Sequence, residues 1–441
     1  MTLVPRHRLI FWTAATVLPG ALVNALLPPG SPAWYLPALG VVLAAVGDAF
    51  AARRQEDQPV PAFPELVRLT QHRQGTIDFR IVQPRPGTDR VRLGPDWPAG
   101  LSAERDRTFD LSAETGEDRF SWTCTPAERG EFTVDICHVE TDSPLGLWGR
   151  RRKVPVTMTM RVYPDLSAEK KNFAWLFSGR ETGDHALRQI GKGREFEQLR
   201  EYLPGDSYED IHWKATARRG FPVTKTYQIE RTQEVYLILD ASRLSGRLTG
   251  TAPRSCLDRF ITTALVSGLA IERQGDLFGL LTFDDRIRGF VPAKKGRAHY
   301  DTCRDMLYNL HVRRVSPDFT ELFSFMAAHL RKRALLLFLT SLDDPVLADS
   351  FTGQVHLLTR HHVVLVNMIR PEGVAPVFAG AEVNRPDDLY PALAGHLEWT
   401  SLARTRTRLR RRGVDFAMVP AEQLSLRLTR QYLAVKRNQR L

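Results

Sequence analysis

Cysteine is scarce in this chain: four residues in 441, Cys124, Cys137, Cys256 and Cys303, none in a C-x-x-C or other zinc-ligand spacing. That excludes a thiolate metal site. Cys124 and Cys137 are near enough in sequence to face each other across two strands, so one disulfide stays open beside the reading of four free thiols in a reducing compartment. There is no G-x-x-x-x-G-K-[ST] and no G-x-G-x-x-G segment, which excludes the usual phosphate cradles of nucleotide and dinucleotide sites. There is no G-x-S-x-G nucleophile elbow either. Acid is in deficit, with 50 Asp and Glu against 61 Lys and Arg, a net charge of +11 that suits acidic partners, nucleic acid or anionic lipid.

What is present begins with two long apolar runs. Residues 9–27 carry no charge, and residues 33–52 carry one acid, Asp48, near the end. Each has about the length a helix needs to cross roughly 30 Å of hydrocarbon. Pro28, Pro29, Gly30, Ser31 and Pro32 between them break helices and leave room for a tight turn alone. Residues 1–54 are therefore predicted to be a two-helix transmembrane hairpin. A secretory signal is the rival reading of the first run, but a second spanning-length run follows at once with no A-x-A site between. Arg6, His7 and Arg8 precede the first run, Arg53 and Arg54 follow the second, and the turn is uncharged. The positive-inside rule then places both ends, and the body after them, in the cytoplasm of a cell with this chain in its inner membrane as a multi-pass protein. Asp48 is expected in the headgroup region.

After a polar linker at 55–65 the pattern becomes that of strands: 76–82, 90–93, 108–111, 119–124, 131–139 and 154–162, separated by turn-forming residues, with no long amphipathic helix between 66 and 165. An antiparallel, Ig-like β-sandwich over 66–165 is expected. Arg150, Arg151, Arg152 and Lys153 read as a solvated basic loop. From 234 to 441 strands alternate with helices. The strands are 234–240, 277–283, 334–339, 363–368 and 414–419, and the helices are 257–272, 300–310, 320–332, 387–412 and 424–435. That order predicts an α/β unit with a doubly wound, mainly parallel sheet, whose ligands gather at the carboxyl ends of the strands.

Residues 166–233 connect the two. Here Gly191 or Gly193, Glu195, Phe196, Leu199, Arg200, Tyr202, Gly205 and Asp206 are followed by Ile211, His212, Trp213, Lys214, Ala217 and Arg218. The residues themselves suggest a turn at 204–206, a short helical piece at 211–217 that buries Ile211 and Trp213, and an ion-pair network among Glu195, Arg200, Glu201, Asp206, Lys214 and Arg218. His212 is expected to be a structural, hydrogen-bonded histidine. The segment resembles the hallmark of the bacterial family catalogued as domain of unknown function fifty-eight, G-x-x-x-E-F-x-x-L-R-x-Y-x-x-G-D followed by I-[DH]-W-K and A-R. Arg129-Gly130, residues 142–147 and 162–164 are similar to further family elements. Glu209 departs from the family, which has arginine there. The resemblance implies a von Willebrand factor A-like fold for 234–441. It also implies an adaptor acting at the membrane with a MoxR-type AAA+ ATPase.

Such folds can hold Mg²⁺ through D-x-S-x-S and a threonine from another loop. Asp240 and Ser242 stand in place, but Leu244 occupies the second serine's position, with Ser245 one residue late and Thr320 as the candidate threonine. Asp343 and Asp344 come later than the acid expected near Thr340 or Ser341. The site reads as a degenerate metal ion-dependent adhesion site, and the alternative reading has Asp240 and Ser242 capping a turn. The function expected is a membrane-anchored, non-enzymatic scaffold that binds a protein partner. A metal-dependent enzyme at the sheet edge is the first alternative. The second is a membrane-tethered nucleic-acid binder using Arg404, Arg406, Arg408, Arg410, Arg411 and Arg412.

Overall fold

The computed structural model describes residues 2–26, 35–54, 58–83, 90–112, 116–167, 169, 190–204, 206–228, 233–249, 254–377 and 389–437. It divides at Asp165/Leu166 into two compact units.

The first unit opens with the short strand Thr2–Pro5 and the helices His7–Leu26 and Tyr35–Arg54. Large apolar side chains on both helices face outward, among them Ile10, Phe11 and Leu18 on one and Leu36, Leu43 and Phe50 on the other. A helix of a water-soluble core shows the reverse, an apolar stripe turned inward. Among the described residues one helix, Leu36–Arg54, is long and apolar enough to cross a membrane.

The rest of this unit is a sandwich of a six-stranded and a four-stranded sheet. In the strand Gly75–Val82 alternate residues Ile77, Phe79 and Ile81 are buried while their neighbours face out, the period-two rule of a half-covered sheet. Its core holds Trp122, Phe79 and Phe109, the last two edge to face at 5.4 Å. Three strands that the alternation did not announce complete the sheets: Val60–Ala62, Leu66–Thr70 and Leu101–Ala103. Two have only three residues, too few for a period to register. The basic run is not a loop. It lies inside the strand Trp148–Tyr163, where Arg150 is buried and Arg151 pairs with Glu140 at 2.8 Å. Pro155 lies in this strand beside a register shift, as a residue without an N–H requires.

Asp48 is buried against the protein, 2% exposed. Its carboxylate accepts from Ser143 Oγ, from the Leu145 N–H at 3.0 Å and from the Leu147 N–H at 3.2 Å. Around it, Trp148 Nε1 donates to the Ala45 carbonyl at 2.8 Å and Arg150 Nη1 to the Ala52 carbonyl at 3.3 Å. Thr2–Pro5 pairs antiparallel with the start of Trp148–Tyr163, and Arg6 bridges Glu140 and Asp142. The turn needs Gly146, whose φ is +69°. The helix Tyr35–Arg54 is thus tied to the sandwich through its own polar groups.

The second unit carries a six-stranded sheet in the order Ile287–Lys294, Leu277–Phe283, Glu234–Asp240, Ala334–Leu339, Val363–Ile369, Asp415–Val419. All neighbours are parallel except the first strand, an antiparallel edge. Val235, Leu237 and Leu239 join a core with the helices Cys256–Arg273, Arg297–Leu307 and Leu424–Arg437, while Tyr236 and Ile238 join another with Phe319–His329 and Pro345–Gln354. Coverage on both faces explains the unbroken apolar run Ala334–Leu339. Gly279 is forced by close approach, since a Cβ there would lie 2.4 Å from the Tyr236 ring.

All four cysteines are buried and free. Burial pushes the thiols of Cys124 up to about 11 and of Cys137 and Cys303 to about 12. Cys124 and Cys137 therefore form no disulfide.

Candidate functional site

The carboxyl ends of the parallel strands bring together Asp240, Ser242, Asp284, Thr340 and Ser341, all buried. Asp240 ends the central strand and is wholly enclosed. One carboxylate oxygen accepts from the Ser242 N–H at 2.8 Å, a turn of the kind aspartate favours, and the other from the Thr340 hydroxyl at 2.7 Å. Ser245 Oγ donates to the Asp240 backbone carbonyl at 2.6 Å. Burial raises the Asp240 pKa, opposed by the bonds from Thr340 and Ser242. Asp284 is pushed up by burial, but the hydrogen bonds it accepts from Arg288 and from the Arg286 N–H, with the charge of Arg288, outweigh that and hold it below the usual carboxylate range.

Above this layer lies a charged rim. Arg247 pairs with Asp343 at 2.5 Å, and Arg243 reaches Asp344 at 3.4 Å and Ser316 Oγ at 3.2 Å. Asp344 also caps the helix Pro345–Gln354, and Asp318 caps Phe319–His329. Arg313 is tied to the strand end through its N–H, which donates to the Ala241 carbonyl at 2.9 Å. The side chains of Arg313 and Arg314 are exposed and make no ion pair among the described residues.

Of the metal candidates, Asp240, Ser242 and Ser245 meet at one place, and Thr320 is engaged elsewhere. Thr320 is exposed at the start of Phe319–His329 and its hydroxyl accepts from Gln354 Nε2 at 2.8 Å. Mg²⁺ needs about six oxygens in near-octahedral array. Here each Asp240 oxygen accepts one hydrogen bond inside the protein, the Ser245 hydroxyl donates to the backbone, Ser242 Oγ has no partner, and a single carboxylate with two serine hydroxyls falls short of that number. The donor set does not fit a tightly held dication. Among the described residues no three His, Cys, Asp or Glu side chains are grouped to hold a metal. The residue sequence reasoning passed over is Thr340, a hydroxyl where an acid was expected. The polar pair Thr340-Ser341, directly after the wholly apolar Ala334–Leu339, was its signal.

In the connecting segment, Arg200 pairs with Asp206 at 2.6 Å, and Asp206 is held low first by the Leu203 N–H and also by Arg200. His212 is structural, its Nδ1 accepting from the Ala215 N–H at 3.0 Å to cap the helix Trp213–Arg219. Ile211 is buried, but Trp213 is not: it is 69% exposed. Lys214 and Arg218 are exposed and join no ion pair among the described residues, where Arg200 with Asp206 is the pair of the expected network that forms. Leu199 is half-buried in the strand Ile190–Glu201 and Tyr202 follows it, stacked on Tyr208. Gly205 and the side chains of Glu195 and Phe196 lie outside the described residues.

The arginines at 404, 406, 408, 410, 411 and 412 are exposed along Leu389–Arg411 and just beyond it. Part of that charge is spent within the fold, because Arg408 pairs with Asp349 at 2.5 Å and Arg412 donates to the Gly353 carbonyl at 3.1 Å.

Residues 198–380 match the model of a family described as protein of unknown function DUF58, in agreement with the hallmark resemblance. Uncharacterized proteins of Mycobacterium tuberculosis (strain H37Rv) and Mycobacterium bovis are 25% identical over 199 residues, which is 44% of this chain and 60% of theirs. The chain thus spans about 60% of the length of these curated relatives. Among solved structures, the SpRpn10 VWA domain covers 45% of this chain and 95% of its own at 11% identity and a TM-score of 0.28. An uncharacterized membrane spanning protein from Vibrio fischeri covers 46% of this chain and 99% of its own at 16% identity and a TM-score of 0.18.

Proposed function

We propose that this chain is a membrane-anchored, cytoplasm-facing, non-enzymatic scaffold that holds a protein partner at the strand-end rim of its α/β unit, the partner being a MoxR-type AAA+ ATPase. The observation that carries the reading is the division of that end into two layers. The lower layer, Asp240 with Ser242, Ser245 and Thr340, is enclosed and largely self-satisfied, which leaves little for chemistry on a substrate. The upper layer, with Arg243, Arg313 and Arg314, is exposed and charged, which is what recognition of an acidic protein surface requires. Anchoring rests on the uncovered apolar side chains of His7–Leu26 and Tyr35–Arg54, and orientation on the basic residues Arg6, Arg8, Arg53 and Arg54 at their shared end.

Affinity purification of the full chain from detergent-solubilised membranes, followed by mass spectrometry, is expected to recover the ATPase. Arg313→Glu with Arg314→Glu, both exposed and so harmless to folding, should lower that recovery by roughly tenfold or more. Equal recovery with the double variant would remove the rim from the interface.

A further inference from the structure

The connection between the strands Ile190–Glu201 and Val223–Gln228 displays side chains that folded chains ordinarily hide. Tyr208 is 77% exposed, Trp213 69% and Leu203 57%. They are held in place, not frayed. Tyr202 stacks on Tyr208 with ring centroids 6.0 Å apart, and Asp206 ties the Leu203 N–H to Arg200. Ile211 is buried beneath and bridges to Thr224, while the His212 N–H donates to the Val223 carbonyl at 2.8 Å. Gly220, at φ +75°, ends the helix Trp213–Arg219 in the left-handed conformation that glycine favours.

Charge of both signs accompanies the aromatic groups. Glu209 and Asp210 sit on the 3-10 turn Tyr208–Asp210, and Lys214, Arg218 and Arg219 on the helix that follows. None of these five forms an ion pair among the described residues. A lipid surface or a nucleic acid would welcome the three bases and repel the two acids. A two-fold axis resolves the conflict, because an isologous contact sets each surface against its own copy in reverse. The acidic turn of one copy then meets the basic helix of the other, around a centre of exposed rings. Aromatic anchors inside a polar rim are the usual anatomy of such contacts.

We propose that this knuckle is a self-association surface and that its occupant is a second copy of this chain. Trp213 and Tyr208 lie at the centre, and Glu209 and Asp210 of each copy face Lys214, Arg218 and Arg219 of the other. The proposal stands independently of the ATPase reading, which concerns the strand-end rim.

Sedimentation of the full chain in detergent across a concentration series should show a reversible dimer. Lys214→Glu, Arg218→Glu and Arg219→Glu together should raise its dissociation constant by roughly a hundredfold, and so should Glu209→Lys with Asp210→Lys, since each brings like charges face to face. Mixing the two variants in equal amounts should restore a dimer containing one of each, a rescue that no folding defect could mimic. A wild type that stays monomeric, variants that dimerise as the wild type does, or a mixture that fails to pair would each overturn the proposal.

Discussion

Asp48→Ala is expected to destabilise the first unit by roughly 3 kcal/mol, since several buried donors lose their acceptor at once. The Ser143 hydroxyl and the N–H groups of Leu145 and Leu147 all end on this one carboxylate. Water can reach some of them after substitution, which keeps the loss below the sum of the separate penalties. For a unit of this size that is a fall in melting temperature of about 6–12 °C. Ser143→Ala leaves the carboxylate with two other donors but also takes the acceptor from the Trp148 N–H, so its effect should be smaller, about 1–2 kcal/mol. Thermal unfolding of the purified full chain in one detergent, with both variants beside the wild type, measures the difference. Identical melting of Asp48→Ala and the wild type would mean that the helix Tyr35–Arg54 is not fastened through this residue.

The second large effect is expected at Asp240. Asp240→Ala leaves the Thr340 hydroxyl and the Ser242 N–H buried without an acceptor, a loss of roughly 2–4 kcal/mol in the α/β unit. Asp240→Asn keeps an acceptor and removes the charge, and here the sign depends on pH. Burial raises the folded-state pKa of Asp240 above the unfolded value of about 4. A carboxyl shifted upward binds its proton more tightly in the folded state. Its ionisation therefore costs nothing differential below the unfolded pKa and takes stability away as pH climbs from there through the folded pKa. The stability of Asp240→Asn relative to the wild type should consequently improve between about pH 4 and neutrality. A flat difference across that range would show that the folded carboxyl ionises as easily as the unfolded one.

The α/β unit was the most legible part of the sequence, and the reason is coverage. Strands such as Ala334–Leu339 are buried on both faces, so they appear as unbroken apolar runs that need no partner to be recognised. Ile287–Lys294 was missed because it is an edge: it is only half-buried and contains Pro292, which a central strand would reject. The helix Pro345–Gln354 was also missed, although Asp344 before Pro345 is a cap followed by a first-turn proline. At the candidate site, Asp240 and Ser242 could be read from the strand that precedes them. Thr340 could not be assigned to Asp240, because a contact between residues 100 apart depends on which strands are neighbours. The same limit hid the binding of Asp48 by a loop nearly 100 residues later. Trp213 failed for a different reason. Burial of a tryptophan is the sound expectation for an isolated fold, and its exposure here is a feature that no hydrophobic period encodes.

The scaffold reading requires both units to lie on the cytoplasmic side of a membrane that the first unit enters. Protease added to intact spheroplasts and to inside-out vesicles, with the full chain followed by antibodies to each unit, examines this in one experiment. Protection of both units in spheroplasts and digestion in inside-out vesicles, with all of the chain in the membrane fraction, is the expected result. Digestion in intact spheroplasts, or recovery of the undigested chain in the soluble fraction, would contradict it.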